Sequence, residues 1–161
     1  MFTKAIVRKP CRAMVDGLTS ADLGVPDYQK ALIQHADYID ALEQCGLKVT
    51  ALPPDERFPD STFVEDVALM TPRCAVITRP GAPTRAQETR LILDSIRQNY
   101  AAVEMIQAPG TLEAGDVMMV GDHYYIGLSE RTNQAGATQL TTILEKHGFS
   151  ASVVKLDKVL H

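Results

Sequence analysis

The stretch Asp60-Ser61-Thr62-Phe63-Val64-Glu65-Asp66, running into Val67-Ala68-Leu69-Met70, decides how the rest of the chain is read. It follows a Pro-rich turn, Leu52-Pro53-Pro54-Asp55-Glu56-Arg57-Phe58-Pro59, and sets three carboxylates where loop gives way to an apolar strand. About fifty residues on, Leu112-Glu113-Ala114-Gly115-Asp116 runs into Val117-Met118-Met119-Val120. A carboxylate at a strand mouth is costly to desolvate unless it meets a cation. Acids at equivalent points of a repeated module therefore read as a pocket for a small organic cation.

The repeat extends in both directions. Residues 4–9 read as a strand stopped by Pro10, and Met14 to Ser20 as a mobile loop marked by Asp16-Gly17. A helix is predicted over residues 27–45, with Tyr28, Leu32, His35, Ile39 and Leu42 on one face and Gly46 as cap. Residues 48–52 form the next strand. The pattern returns as strand 74–78, a helix opened by the capping box Thr84-Arg85-Ala86-Gln87 with Leu91, Ile92 and Ile96 inward, and strand 102–107. It returns again as strand 123–128, a helix from Asn133 to about His147 with Leu140, Ile143 and Leu144 inward, and strand 152–156. A period near 50 marks a repeated strand-helix-strand unit. A doubly wound sheet fits less well, because no Gly-rich phosphate loop follows a strand. Units with extra short strands at 67–70 and 117–120 fit blades around an axis, where equivalent loops meet at one mouth.

The bulk properties exclude several classes. At 161 residues and 45% hydrophobic content the chain reads as one α/β domain over 1–161. A net charge of −4 with no basic run argues against nucleic acid. No stretch has the length of a membrane span or the pattern of a signal peptide. Cys11, Cys45 and Cys74 are irregularly spaced, and no two histidines have ligand spacing, so neither a disulfide framework nor a metal site is expected. No cofactor is expected. The default location is the cytoplasm.

Asp66 and Glu113 are the strongest candidate pair, since facing carboxylates match a planar guanidinium in charge and shape. Arg85 and Arg131 sit near predicted helix N-termini, where a cation opposes the macrodipole unless an anion is bound. A site holding both a guanidinium and a carboxylate describes an arginine-like amino acid. His35, His123 and His147 read as structural, and His161, taken alone, carries no signal.

Three segments closely resemble bacterial dimethylarginine dimethylaminohydrolase: Leu52 to Ser61 with Phe63 to Asp66, Ala108 to Thr111 with Glu113 to Asp116, and Lys158-Val159-Leu160-His161. The chain also resembles the wider guanidine-modifying superfamily that includes arginine deiminase. The resemblance implies a five-bladed αβ-propeller, of which about three modules lie in this N-terminal portion. It further implies that Leu18 belongs to a lid and that Asp60, Phe63, Glu65 and Asp66 contact substrate. Arg85 and Arg131 would grip the substrate carboxylate. Glu113 would orient the guanidinium, and His161 would be the general acid/base.

The family's nucleophile is a cysteine near its C-terminus, which none of Cys11, Cys45 and Cys74 matches. The leading expectation is thus a hydrolase of methylated arginine to citrulline and an alkylamine through a Cys-His-Glu mechanism, with the nucleophile missing and the chain alone inactive. The alternatives are a non-catalytic protein that binds guanidino amino acids or assembles with a partner, and an arginine deiminase-type fragment. Unpaired blade edges would favour homo-oligomers.

Overall fold

The computed structural model describes residues 2–20 and 22–156, so His161 lies outside the described residues. The chain divides into two compact units, Met1–Val64 and Glu65–His161. Both are α/β, and every sheet is small and open.

The first unit is a single β-α-β module. Strand β1 (Lys4–Arg8) pairs in parallel with β2 (Lys48–Leu52), in the register Lys4 to Lys48, and helix α1 (Tyr28–Gln44) joins them. Asp27 caps α1, its carboxylate accepting the Lys30 N–H at 3.1 Å. The predicted face of α1 is the half-buried one. Gly46 closes the helix at φ 84°, with the Leu47 N–H on the Leu42 carbonyl and the Gly46 N–H on Glu43. Cys45, at the end of α1, is exposed.

The second unit repeats one plan. An antiparallel hairpin, β3 (Ala68–Met70) and β4 (Ala75–Ile77), gains a parallel third strand, β5 (Val103–Met105), after helix α2 (Thr89–Arg97). Hairpin β6 (Val117–Val120) and β7 (His123–Leu128) gains β8 (Ser150–Lys155) after helix α3 (Gln134–Lys146) in the same way. Ala68 pairs with Ile77 and Val117 with Ile126, so the two hairpins are offset by 49 residues. No doubly wound sheet forms among the described residues.

One core serves this unit. Val76, Leu112, Tyr124, Ile126, Leu140 and Leu144 are buried together, the apolar faces of strands and helix supplying it. Arg73 joins the modules by donating to the carbonyls of His147 and Gly148 at 3.0 and 2.7 Å, where α3 ends. A cation there complements the helix dipole.

Two local expectations fail. The predicted capping box at Thr84 does not open a helix: Pro83–Arg85 is a 3-10 turn without a side-chain cap, and α2 begins at Thr89. Part of the supposed mobile loop is likewise a 3-10 turn, Arg12–Asp16. Glu56 holds that turn by accepting the N–H groups of Arg12 and Ala13 at 3.0 and 2.9 Å.

Gly136 in α3 lies against Thr111 so closely that an added Cβ would overlap the Thr111 carbonyl oxygen. Alanine would gain about 1 kcal/mol of helix propensity. Overpacking against an immovable carbonyl costs about 1–3 kcal/mol, and backbone contact puts this case at the upper end. Gly136→Ala should therefore lower the urea unfolding midpoint; an unchanged or raised midpoint contradicts the packing.

Candidate functional site

In the first unit Asp60 is buried and accepts the Leu18 N–H at 3.0 Å on Oδ1 and 3.3 Å on Oδ2. The approach depends on Gly17, where a Cβ would stand 2.7 Å from Asp60 Oδ1. The backbone of Leu18 is thereby tied to the first candidate acid, while its side chain stays exposed. Phe63 is also exposed. Ser61 is buried, with no hydrogen-bond partner for its hydroxyl among the described residues.

The second unit brings Asp66 and Arg85 together. The Asp66 carboxylate accepts Arg85 Nη1 at 2.5 Å. Glu88 takes the other side of the guanidinium, accepting Nη2 at 2.9 Å and Nε at 3.1–3.2 Å. Asp66, Arg85 and Glu88 are all buried. Burial alone would push Arg85 down, but the Glu88 and Asp66 carboxylates outweigh it and raise its pKa. Arg85 thus faces carboxylates, where the sequence reading expected a bound anion at a helix N-terminus. The reason is local: the 3-10 turn puts Glu88 three residues on, within reach of the same guanidinium.

Glu113 stands differently. It is only 2% exposed, and its Oε1 has no hydrogen-bond partner among the described residues. Arg131 Nη1 lies 3.7 Å from that oxygen, too far for a hydrogen bond. Gly81 allows the chain after β4 to lie against Arg131, since a Cβ there would be 2.6 Å from the Arg131 carbonyl oxygen. Arg131 is placed as expected, two residues before the α3 cap Asn133, whose side chain accepts the Gly136 N–H at 2.8 Å.

The repeat does not pair Asp66 with Glu113. The 49-residue offset puts Glu113 level with Val64, and Asp116 one position past the counterpart of Asp66. Asp116 is buried and accepts Ser129 Oγ at 2.7 Å and Thr132 Oγ1 at 2.5 Å. Thr132 Oγ1 in turn accepts the Glu113 N–H at 3.1 Å. The Asp66 carbonyl binds both hairpins, accepting Thr78 Oγ1 at 2.7 Å and the Ala114 N–H at 3.1 Å. Glu65, next to Asp66 in sequence, is exposed.

Sequence reasoning passed over Glu88, Ser129 and Thr132. Only Glu88 left a trace, as an acid three residues after Arg85. Two of the thiols, the buried Cys11 and Cys74, are poorly placed for nucleophilic work. Burial and then the Glu56 charge raise the Cys11 pKa, and burial raises that of Cys74, disfavouring thiolates. No group of three or more His, Cys, Asp or Glu residues that could hold a metal occurs among the described residues. No helix there is long and apolar enough to cross a membrane.

Fold and site together define an α/β protein whose repeated hairpins bury carboxylates at their feet. A family model described as "N,N dimethylarginine dimethylhydrolase, eukaryotic" matches residues 26–158, and the chain belongs to that family. The N(G),N(G)-dimethylarginine dimethylaminohydrolase of Pseudomonas aeruginosa is 62% identical over 100% of this chain and 64% of its own length. The Streptomyces coelicolor enzyme of that name is 38% identical over 98% of this chain and 62% of its own length. The chain thus spans less than two thirds of either relative. Because it still covers the greater share of each, the comparisons do not bear out an N-terminal part alone.

A solved structure of a mutant P. aeruginosa protein complexed with citrulline matches with a TM-score of 0.99, at 62% identity, over 100% of this chain and 64% of that one. The N-terminal domain of ArgZ, described as a cyanobacterial arginine dihydrolase, matches with a TM-score of 0.83 over 95% of this chain and 58% of that one. At 17% identity the second match shows likeness of fold alone.

Thr132→Val tests the network beneath Glu113. It removes an acceptor from a buried N–H and a donor from a buried carboxylate, at a cost of about 1–3 kcal/mol. Thr142→Val, on the exposed face of α3, should stay within about 0.5 kcal/mol of the parent chain. Equal urea midpoints for the two variants would contradict the network.

Proposed function

We propose that this chain carries recognition groups of a dimethylarginine dimethylaminohydrolase-type hydrolase acting on methylated arginine. Family membership supports this, and one observation carries it: Glu113 is buried with an oxygen that accepts no hydrogen bond among the described residues, its ion pair with Arg131 being 3.7 Å long. A buried carboxylate in that condition is a strong site for a charged donor, and a guanidinium supplies paired ones.

In this reading Glu113 orients the guanidinium and Asp66, with Glu65, holds it. Asp60, Leu18 and Phe63 contact the remainder of the ligand. Arg131 meets the carboxylate, and Arg85 is assigned with it on the family resemblance. His161, outside the described residues, serves as general acid/base. In the full reaction a thiolate attacks the guanidinium carbon, the alkylamine leaves with a proton from the histidine, and water releases citrulline from the thiouronium adduct. None of Cys11, Cys45 and Cys74 is assigned that thiolate, so this chain binds without turnover. The repeated modules are read as blades of a five-bladed αβ-propeller within one domain over 1–161, in a cytoplasmic protein.

A second reading, assembly in place of catalysis, is favoured by one face of the third sheet. Met118, Tyr125 and Val154 are exposed there and line an apolar cavity of about 360 Å³. Self-association through such a face would appear as a dimer in size exclusion with light scattering, and a monomer at all concentrations removes it.

Titration calorimetry with L-arginine, its Nω-methylated forms and citrulline tests the first reading. Saturable binding of the guanidino ligands is expected, weakened at least about tenfold, or 1.4 kcal/mol, in Glu113→Gln. No citrulline should form from methylated arginine. An absence of binding with the fold intact rejects the recognition groups, and robust citrulline release rejects the assignment of the thiols.

A further inference from the structure

Glu88 is a buried titratable group to which the reading above gives no role. It is 3% exposed and offers both carboxylate oxygens to Arg85, while Asp66 takes Nη1 of the same guanidinium at 2.5 Å. The backbone supports the arrangement, since the Glu88 N–H donates to the Arg85 carbonyl at 3.0 Å and holds the two residues one turn apart. We propose that Glu88 is a positioning residue: it fixes the Arg85 guanidinium, and Arg85 fixes the carboxylate of Asp66. This rests on the reading of Asp66 as the acid that holds the ligand's guanidinium.

The geometry favours positioning over plain stabilisation. A guanidinium is a rigid planar fork, so fixing its Nε and Nη2 edge on Glu88 fixes where Nη1 points. Asp66 then has one oxygen fixed by Nη1 and its main-chain carbonyl held by Thr78 and Ala114. The buried group also holds two carboxylates for one guanidinium. A buried ion pair is weak evidence for stability. Glu88 thus acts on the ligand through Arg85 and Asp66, setting the orientation of the holding acid.

A double-mutant cycle on the full chain, read by calorimetry, separates this role from general damage. L-Arginine is the charged probe and citrulline its uncharged counterpart. Asp66→Asn and Glu88→Gln should each lower L-arginine affinity by about tenfold, which is about 1.4 kcal/mol. The combined variant should bind no more weakly than Asp66→Asn alone, and citrulline binding should change far less than L-arginine binding in Glu88→Gln.

Equal losses for L-arginine and citrulline, or a full further loss on the Asp66→Asn background, overturns the positioning role. So does undiminished L-arginine binding. Should circular dichroism show Glu88→Gln to be unfolded, Glu88→Asp decides. It keeps the charge but shortens the reach, and should lose L-arginine affinity selectively; full affinity overturns the proposal. No L-arginine binding by the parent chain, or none lost in Asp66→Asn, removes the reading of Asp66 itself, and this inference with it.

Discussion

A carboxylate withdrawn from water must find a cation or several donors, and the feet of both hairpins in the second unit are built around that demand. The two hairpins answer it differently. Asp66 meets the guanidinium of Arg85, a residue supplied by the 3-10 turn after β4. Asp116 meets the hydroxyls of Ser129 and Thr132, in the turn after β7. In both modules the donors come from the segment that leads into the helix, so the same stretch of chain places the helix and satisfies the acid. The Asp66 carbonyl then ties one foot to the other through Thr78 and Ala114.

Periodicity made much of this fold legible. The strands over 117–120 and 123–128, the α1 and α3 faces and the glycines closing both helices follow from apolar spacing and from φ values only glycine tolerates well. Thr84-Arg85-Ala86-Gln87 misled for a physical reason. A capping box is a local pattern, and here Pro83 begins a 3-10 turn while the Arg85 side chain is committed to buried acids. The loop after Pro10 misled likewise, because its anchor, Glu56, lies more than forty residues away in sequence. Long-range partners leave no periodic trace.

The candidate acids were legible as a class but not by rank. Asp60, Asp66, Glu113 and Asp116 are all buried, as strand-mouth acids paired with donors or cations can be. Which acid corresponds to which across the repeat depends on register, and the strand pairing sets the offset at 49 residues. At that offset Asp66 is level with Gly115 and Glu113 with Val64, so neither acid of the expected pair stands opposite the other. The hydroxyls that satisfy Asp116, one of which also accepts the Glu113 N–H, were invisible, since Ser129 and Thr132 in a turn look like ordinary solvated residues until their partner is known.

The difference between the acids follows from how completely each is satisfied. Asp60 accepts a backbone N–H, Asp66 an arginine Nη1 and Asp116 two hydroxyls, so each has donors at hydrogen-bond distance. Glu113 is as deeply buried, yet its nearest cation stands 3.7 Å away and Oε1 lacks a hydrogen bond among the described residues. An interior optimised for stability alone would not hold a carboxylate this way, because the missing donor leaves most of the desolvation penalty in place. Holding it so is consistent with a donor that arrives from outside. A planar cation reaching Glu113 would supply that donor, which makes the least satisfied acid the one most able to discriminate a charged ligand from a neutral one.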